Sequence, residues 1–132
     1  ISIIGGSNIK IDGNIIHDIK GSASEYAIDI EPEEGYSASN ITITNNDMYN
    51  IASECNFSIK LRDGYTRVNT VTVKNNTMEK GVNICSSIGG KLTVSGNKDR
   101  KTGAKISNNP VCSKNKLAEG VCVKHSCVPE GD

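Results

Sequence analysis

Aliphatic and polar residues alternate in short runs, and the runs recur along the chain. Ile9-Lys10-Ile11-Asp12, Ile41-Thr42-Ile43-Thr44, Val71-Thr72-Val73-Lys74 and Leu92-Thr93-Val94-Ser95 each lead through one spacer to an asparagine, namely Asn14, Asn46, Asn76 and Asn97. Consecutive copies start 32, 30 and 21 residues apart. Period-two alternation predicts strands with aliphatic side chains on one face and polar ones on the other. A second series precedes each copy: Ile1-Ser2-Ile3, Ile28-Asp29-Ile30, Ile59-Lys60-Leu61 and Val82-Asn83-Ile84, with Ala104-Lys105-Ile106 continuing it and Val121-Cys122-Val123 as a further copy of the opening motif. Two short strands per repeat follow, with third apolar touches at Ile16, Met48 and Met78.

Self-similarity at this period predicts a solenoid, in which each repeat covers the core of its neighbour. Stacking in register makes the pairing parallel. The four asparagines then fall in line along the axis, in turns whose left-handed backbone asparagine tolerates, where stacked carboxamides can hydrogen-bond to one another. This ladder is read as structural. Helical spacing is absent, except for a single turn over 114–119.

Composition narrows the function. The 132 residues carry 15 basic and 15 acidic side chains, and this balance argues against a nucleic-acid partner. No apolar run approaches the length of a membrane-spanning helix, so no membrane insertion is expected. One Phe, no Trp and four Tyr are few for a compact globule, but suit a narrow aliphatic column. Without an initiator Met or a signal peptide, the chain is expected to be the C-terminal part, or an excised domain, of a longer protein.

Asn40-Ile-Thr-Ile-Thr-Asn-Asn and its copies resemble the right-handed parallel β-helix of the pectate-lyase-like superfamily. The phrase Ala27-Ile28-Asp29-Ile30-Glu31-Pro32, followed by Asn40-Ile41-Thr42-Ile43, is similar to what recurs in β-helical phage tail spikes and prophage relatives. The resemblance covers residues 1–109 and implies four to five coils, with 110–132 as a Cys-containing cap over the open end. It also implies an extracellular or virion-surface protein that faces a polysaccharide, as a homotrimer when it belongs to a tail.

Candidate chemistry lies on the outward positions of the first strand series. They place Asp29 beside Lys60 and Glu31 beside Arg62, with Glu33, Glu34 and Asp63 in the flanking turns. One reading is an exposed ladder of salt bridges that sets register. The other is a carbohydrate groove with Asp29, Glu31, Lys60 and Arg62 as catalytic residues and Glu33, Tyr36, Asp63 and Tyr65 binding substrate. Glycoside hydrolysis uses two carboxyl groups, and Asp29 and Glu31 share a face with Cα atoms about 6.6 Å apart. The adjacent cations hold both ionised, which suits a general acid poorly. A lyase instead needs a base such as Lys60 or Arg62, with Ca²⁺ held by Asp29, Glu31 or Glu33. Three functions remain open: a tail-spike-like segment that recognises and cleaves polysaccharide, a stand-alone lyase or hydrolase fragment, and a non-catalytic structural or adhesin stack.

Elsewhere, the pair His17-Asp18 is read first as a turn and second as a general base. Cys112, Cys122 and Cys127 crowd the C-terminus around His125, with Cys55 and Cys85 upstream. Disulfides or a zinc site both draw on that set. Asn40, Asn56 and Asn75 head triplets that match glycosylation acceptors.

Overall fold

The computed structural model describes residues 1–20, 26–33, 35–52, 57–62, 68–79, 81–85, 89–106 and 111–112. Thirteen strands occupy them: β1 (Ser2–Ile3), β2 (Gly6–Asp12), β3 (Ile15–Ile19), β4 (Ile28–Ile30), β5 (Ala38–Thr44), β6 (Asp47–Ile51), β7 (Phe57–Arg62), β8 (Val68–Lys74), β9 (Thr77–Met78), β10 (Gly81–Cys85), β11 (Gly89–Ser95), β12 (Lys98–Asp99) and β13 (Val111–Cys112). Among the described residues there is no helix, and so none to cross a membrane.

Neighbours in each sheet are three strands apart in sequence. The first sheet runs β1-β4-β7-β10-β13, the second β2-β5-β8-β11 and the third β3-β6-β9-β12. The chain thus passes three sheets before returning to the first, always in the same direction, an arrangement consistent with a parallel β-solenoid. The expected cap over 110–132 lies outside the described residues apart from β13, which pairs with β10.

The alternation explains the core. Ile28 aligns with Ile59 and Val82, Ile30 with Leu61, Ile41 with Val71 and Leu92, Ile43 with Val73 and Val94, and Met48 with Met78. Like residues therefore stack in columns one strand spacing, about 4.8 Å, apart. Burial is complete in the middle of the stack, at Ile28, Ile30, Ile43, Ile59, Leu61, Val71 and Val73, while Ile9, Ile16, Leu92 and Val94 nearer its ends are only half covered. Each fully buried aliphatic side chain contributes about 1.5–3 kcal/mol.

Three expectations are corrected. Each repeat carries three strands, not two, because Ile16, Met48 and Met78 belong to strands of the third sheet. Ala104-Lys105-Ile106 does not join the first sheet. The Asp99 Oδ1 atom accepts the backbone N–H groups of Lys101 at 2.8 Å and Thr102 at 3.0 Å, and the Asp99 N–H donates to the Ala104 carbonyl at 2.8 Å. That turn folds the segment back on β12 through an antiparallel Lys98–Lys105 bridge, and Val111–Cys112 takes the place beside β10. Finally, the left-handed residue of the repeat is the spacer and not the asparagine after it: Gly13, Asn45, Asn75 and Gly96 have φ of 71, 56, 58 and 69°.

The asparagine ladder itself forms. Asn46 donates its backbone N–H and its Nδ2 to Asn76 Oδ1, each at 3.0 Å, and Asn76 repeats both bonds to Asn97 Oδ1 at 3.0 Å. The second Nδ2 hydrogen goes back one coil, from Asn46 to the Ile11 carbonyl, from Asn76 to Ile43 and from Asn97 to Val73. Asn46, Asn76 and Asn97 are buried, and every carboxamide group of Asn46 and Asn76 has its full set of partners. Deleting one member therefore strands several buried groups at once. Asn76→Ala is expected to lower stability by about 3–5 kcal/mol, read as a shift of the urea midpoint by circular dichroism. Asn75→Gly, one residue away at a left-handed position, is expected to change it by under about 0.5 kcal/mol.

Candidate functional site

The first sheet places Asp29 directly opposite Lys60, as the register of the sequence implies, with Ser2 and Asn83 on either side in the same row. The face is not the open charge ladder expected. Lys60 is 1% exposed, and its Nζ lies 5.2 Å from the centre of the Tyr26 ring, itself buried. An ammonium withdrawn from water costs several kcal/mol unless something replaces its hydration, and an aromatic face over the cation supplies part of that. Strand alternation told which way Lys60 points; it did not tell what covers it.

Asp29 is half-buried, and its backbone N–H is held by the Ile1 carbonyl at 2.9 Å. Among the described residues its Oδ1 atom has no hydrogen-bond partner and is shielded from solvent. Glu31 follows, half-buried, one residue past the end of β4, with its N–H on the Ile3 carbonyl at 2.9 Å. Pro32 is buried. The chain then turns: the Tyr36 N–H returns to the Glu33 carbonyl at 2.9 Å, and Gly35 supplies φ of 86°. Glu33 is exposed, and Tyr36 is 63% exposed. A Cβ built on Gly5 would sit 3.3–3.6 Å from Tyr36 Cβ, Cδ1 and Cγ, so the tyrosine lies along the Gly5 backbone of the preceding coil and shows the rest of its surface to solvent.

The structure thus brings together Asp29 with Lys60 on the sheet, and Glu33 with Tyr36 on one turn. Arg62 aligns with Cys85 in the first sheet, and its side chain is outside the described set. Glu34, Asp63 and Tyr65 also lie outside the described residues, as do His125, Cys122 and Cys127 of the proposed C-terminal cluster. Among the described residues, no group of three or more His, Cys, Asp or Glu side chains is placed to hold a metal ion.

A second constellation lies on the third sheet. The His17 and Tyr49 rings stack with centroids 5.0 Å apart and planes 8° from parallel. The Arg100 guanidinium covers the Tyr49 ring at 3.9 Å, and donates to Asp47 at 2.9 and 3.4 Å. His17 Nδ1 contacts Asp18 Oδ2 at 2.6 Å, and the Asn50 side chain also donates to Asp18. The Asn50 N–H donates to Glu79 at 2.6 Å, and Lys101 lies 3.7 Å from Glu79. Only His17-Asp18 stood out in the sequence. The 32-residue offset that aligns Ile9 with Ile41 also aligns His17 with Tyr49, and this was the available signal. With His17 on one side and Arg100 against the ring as well, Tyr49 is a link in a column along the axis.

Three aspartates on the outer faces, Asp12, Asp18 and Asp99, are held toward their ionised form. Hydrogen bonds from Asn50 and then His17 pull Asp18 below the ordinary carboxylate range, those from Thr44 and Asn45 do so for Asp12, and the N–H groups of Thr102 and Lys101 do so for Asp99. Asp47 raises the already high pKa of Arg100. Comparison with family models, with curated proteins and with solved structures finds no match to this chain.

Two outcomes follow. In native-state acetylation read by mass spectrometry, Lys60 is expected to react at least about tenfold more slowly than the exposed Lys10, Lys91 and Lys98, because it needs local opening to be reached. For carboxyl groups whose folded pKa is depressed, the stabilisation is complete above the unfolded value and is lost as pH falls through the folded one. The urea midpoint is therefore expected to stay level between about pH 7 and 5 and to fall below about pH 4, and Asp18→Asn is expected to make that fall shallower.

Proposed function

We propose that this chain is a segment of a right-handed parallel β-helix of the pectate-lyase-like kind, placed outside the cell or on a virion surface, that recognises a cell-surface or extracellular polysaccharide, as tail-spike-like proteins do. The observation that carries the reading is Tyr36: an aromatic side chain 63% exposed, seated on backbone, on the same turn as the exposed Glu33 and one coil corner from Glu31 and Asp29. A sugar ring offers apolar C–H faces to such a platform and hydroxyl donors to carboxylates. The two chemistries sit side by side at this corner, as carbohydrate sites require.

Recognition is favoured over cleavage. A base or uronate-binding cation must reach the substrate; of the two candidates, Lys60 is covered by Tyr26, and the Arg62 side chain lies outside the described set. Asp29 and Glu31 are the carboxyl pair for a hydrolase, and Ca²⁺ held by Asp29, Glu31 or Glu33 is the cofactor for a lyase. The covered Lys60 also supports a second reading, a non-catalytic adhesin or spacer stack. Homotrimer formation belongs to the tail-spike reading, and the Thr-rich row of Thr42, Thr72 and Thr93 on the second sheet is the flat face it would use.

The test is a glycan-array and depolymerisation screen on the longest form that can be produced. Binding is expected, and Tyr36→Ala is expected to weaken it about tenfold, equivalent to about 1.4 kcal/mol. Asp29→Asn is expected to leave binding within about threefold and to abolish any cleavage. Binding unaffected by Tyr36→Ala would contradict the proposed site. Silence across the array would leave the structural stack as the better reading.

A further inference from the structure

Cys85 and Cys112 stand opposite each other. Both are terminal residues of adjacent parallel strands, β10 and β13, and the register pairs Ile84 with Val111 and Cys85 with Cys112. The two positions are 27 residues apart in sequence and one strand spacing apart in space. Opposed positions on a parallel sheet belong to the same face, and an inter-strand spacing of about 4.8 Å falls within the 4.4–6.8 Å between Cα atoms that a disulfide spans. The C-terminal cluster of cysteines suggests local pairing among Cys112, Cys122 and Cys127; the sheet instead gives Cys112 a neighbour in the preceding coil.

We propose that Cys85 and Cys112 form a disulfide that fastens β13 to the first sheet. The bond forms by thiol–disulfide exchange with a small disulfide oxidant such as oxidised glutathione. The thiolate of one cysteine attacks the oxidant, releasing one thiol and leaving a mixed disulfide. The second thiolate displaces the other half, so two cysteine thiols are oxidised and two glutathione thiols are produced, which carry away both protons. The bond closes a loop around a full coil, so its stabilisation comes mainly from constraining the unfolded chain. β13 is a two-residue strand that, among the described residues, has a neighbour on one side only, and a covalent tie there holds it in register. Under reducing conditions the tie is released, which makes the end of the stack responsive to the redox state of its surroundings.

Trypsin separates the two residues cleanly, since peptides 81–91 and 106–114 each contain one cysteine. The full-length chain, refolded with reduced and oxidised glutathione and digested without reduction, is expected to give these two peptides cross-linked, two hydrogens lighter than their sum. Reduction is expected to separate them and to lower Tm by roughly 10 °C. A chain with Cys55, Cys122 and Cys127 all changed to Ser, and with the circular dichroism of the parent, is expected to form the same cross-link. Recovery of peptides 81–91 and 106–114 in separately alkylated form from the oxidised protein, or of Cys112 joined to Cys122 or Cys127, would overturn the proposal, as would failure of the folded triple variant to cross-link.

Discussion

A carboxamide withdrawn from water has to replace four hydrogen bonds, and the line from Asn14 to Asn97 does so by repetition. Asn46 and Asn76 each accept twice from the coil before, donate once to the coil after and once back to a main-chain carbonyl. None of these bonds can be kept if a coil slips by one residue, because a slip of one turns every side chain to the other face. Aliphatic columns exclude a slip of one in the same way but not a slip of two, which keeps Ile, Val and Leu facing inward, where they interchange; with one asparagine per coil, the ladder excludes both. The ladder is thus what makes one stacking register stand out from its neighbours. The remainder of the fold, including the row that sets Asp29 against Lys60, inherits that register.

Much of this was legible in the residues, for a physical reason. A solenoid repeats one local solution, so identical spacing in sequence becomes alignment in space, and the pairing of Ile41 with Val71 or of Asp29 with Lys60 could be read before any coordinates. What escaped notice were features that break the repeat. The strands of the third sheet are short, two residues in β9 and β12, and mix Met with Asp, Lys and Thr, so alternation has little room to appear. A second left-handed row runs through Asn8, Asn40 and Thr70 within β2, β5 and β8. Asparagine hinted at it, but Thr70, being β-branched, is an unlikely occupant of φ 53° and concealed the pattern. Lys105 follows the alternation yet leaves the first sheet, because the Asp99 side chain closes a turn ahead of it.

The candidate site shows the same division between what repetition specifies and what it leaves open. Alternation assigns a residue to a face, but the covering of that face comes from turns, which differ from coil to coil. Tyr26 turns a presumed surface lysine into a buried one, and Tyr36, on the following turn, is left outward on the Gly5 backbone. The distinction matters for chemistry. A covered cation stabilises its surroundings but reaches no substrate, while an exposed ring beside carboxylates can take a sugar. The His17–Tyr49–Arg100 column is a third case, in which aromatic and cationic groups are spent on each other along the axis. It supplies cohesion along the third sheet, linking β3 and β6 to the residue that follows β12.

Amide hydrogen exchange of the native protein, followed residue by residue, tests the central claim most directly. The backbone N–H groups of Asn46 and Asn76 lie in turns, and donate to side-chain Oδ1 atoms one coil away. If the ladder fixes the stack, these two amides exchange only through global opening, as slowly as those of Ile43 and Val73 in the strands beside them. If they exchange close to the rate of an unstructured peptide, the ladder frays independently of the sheets and does not hold the register.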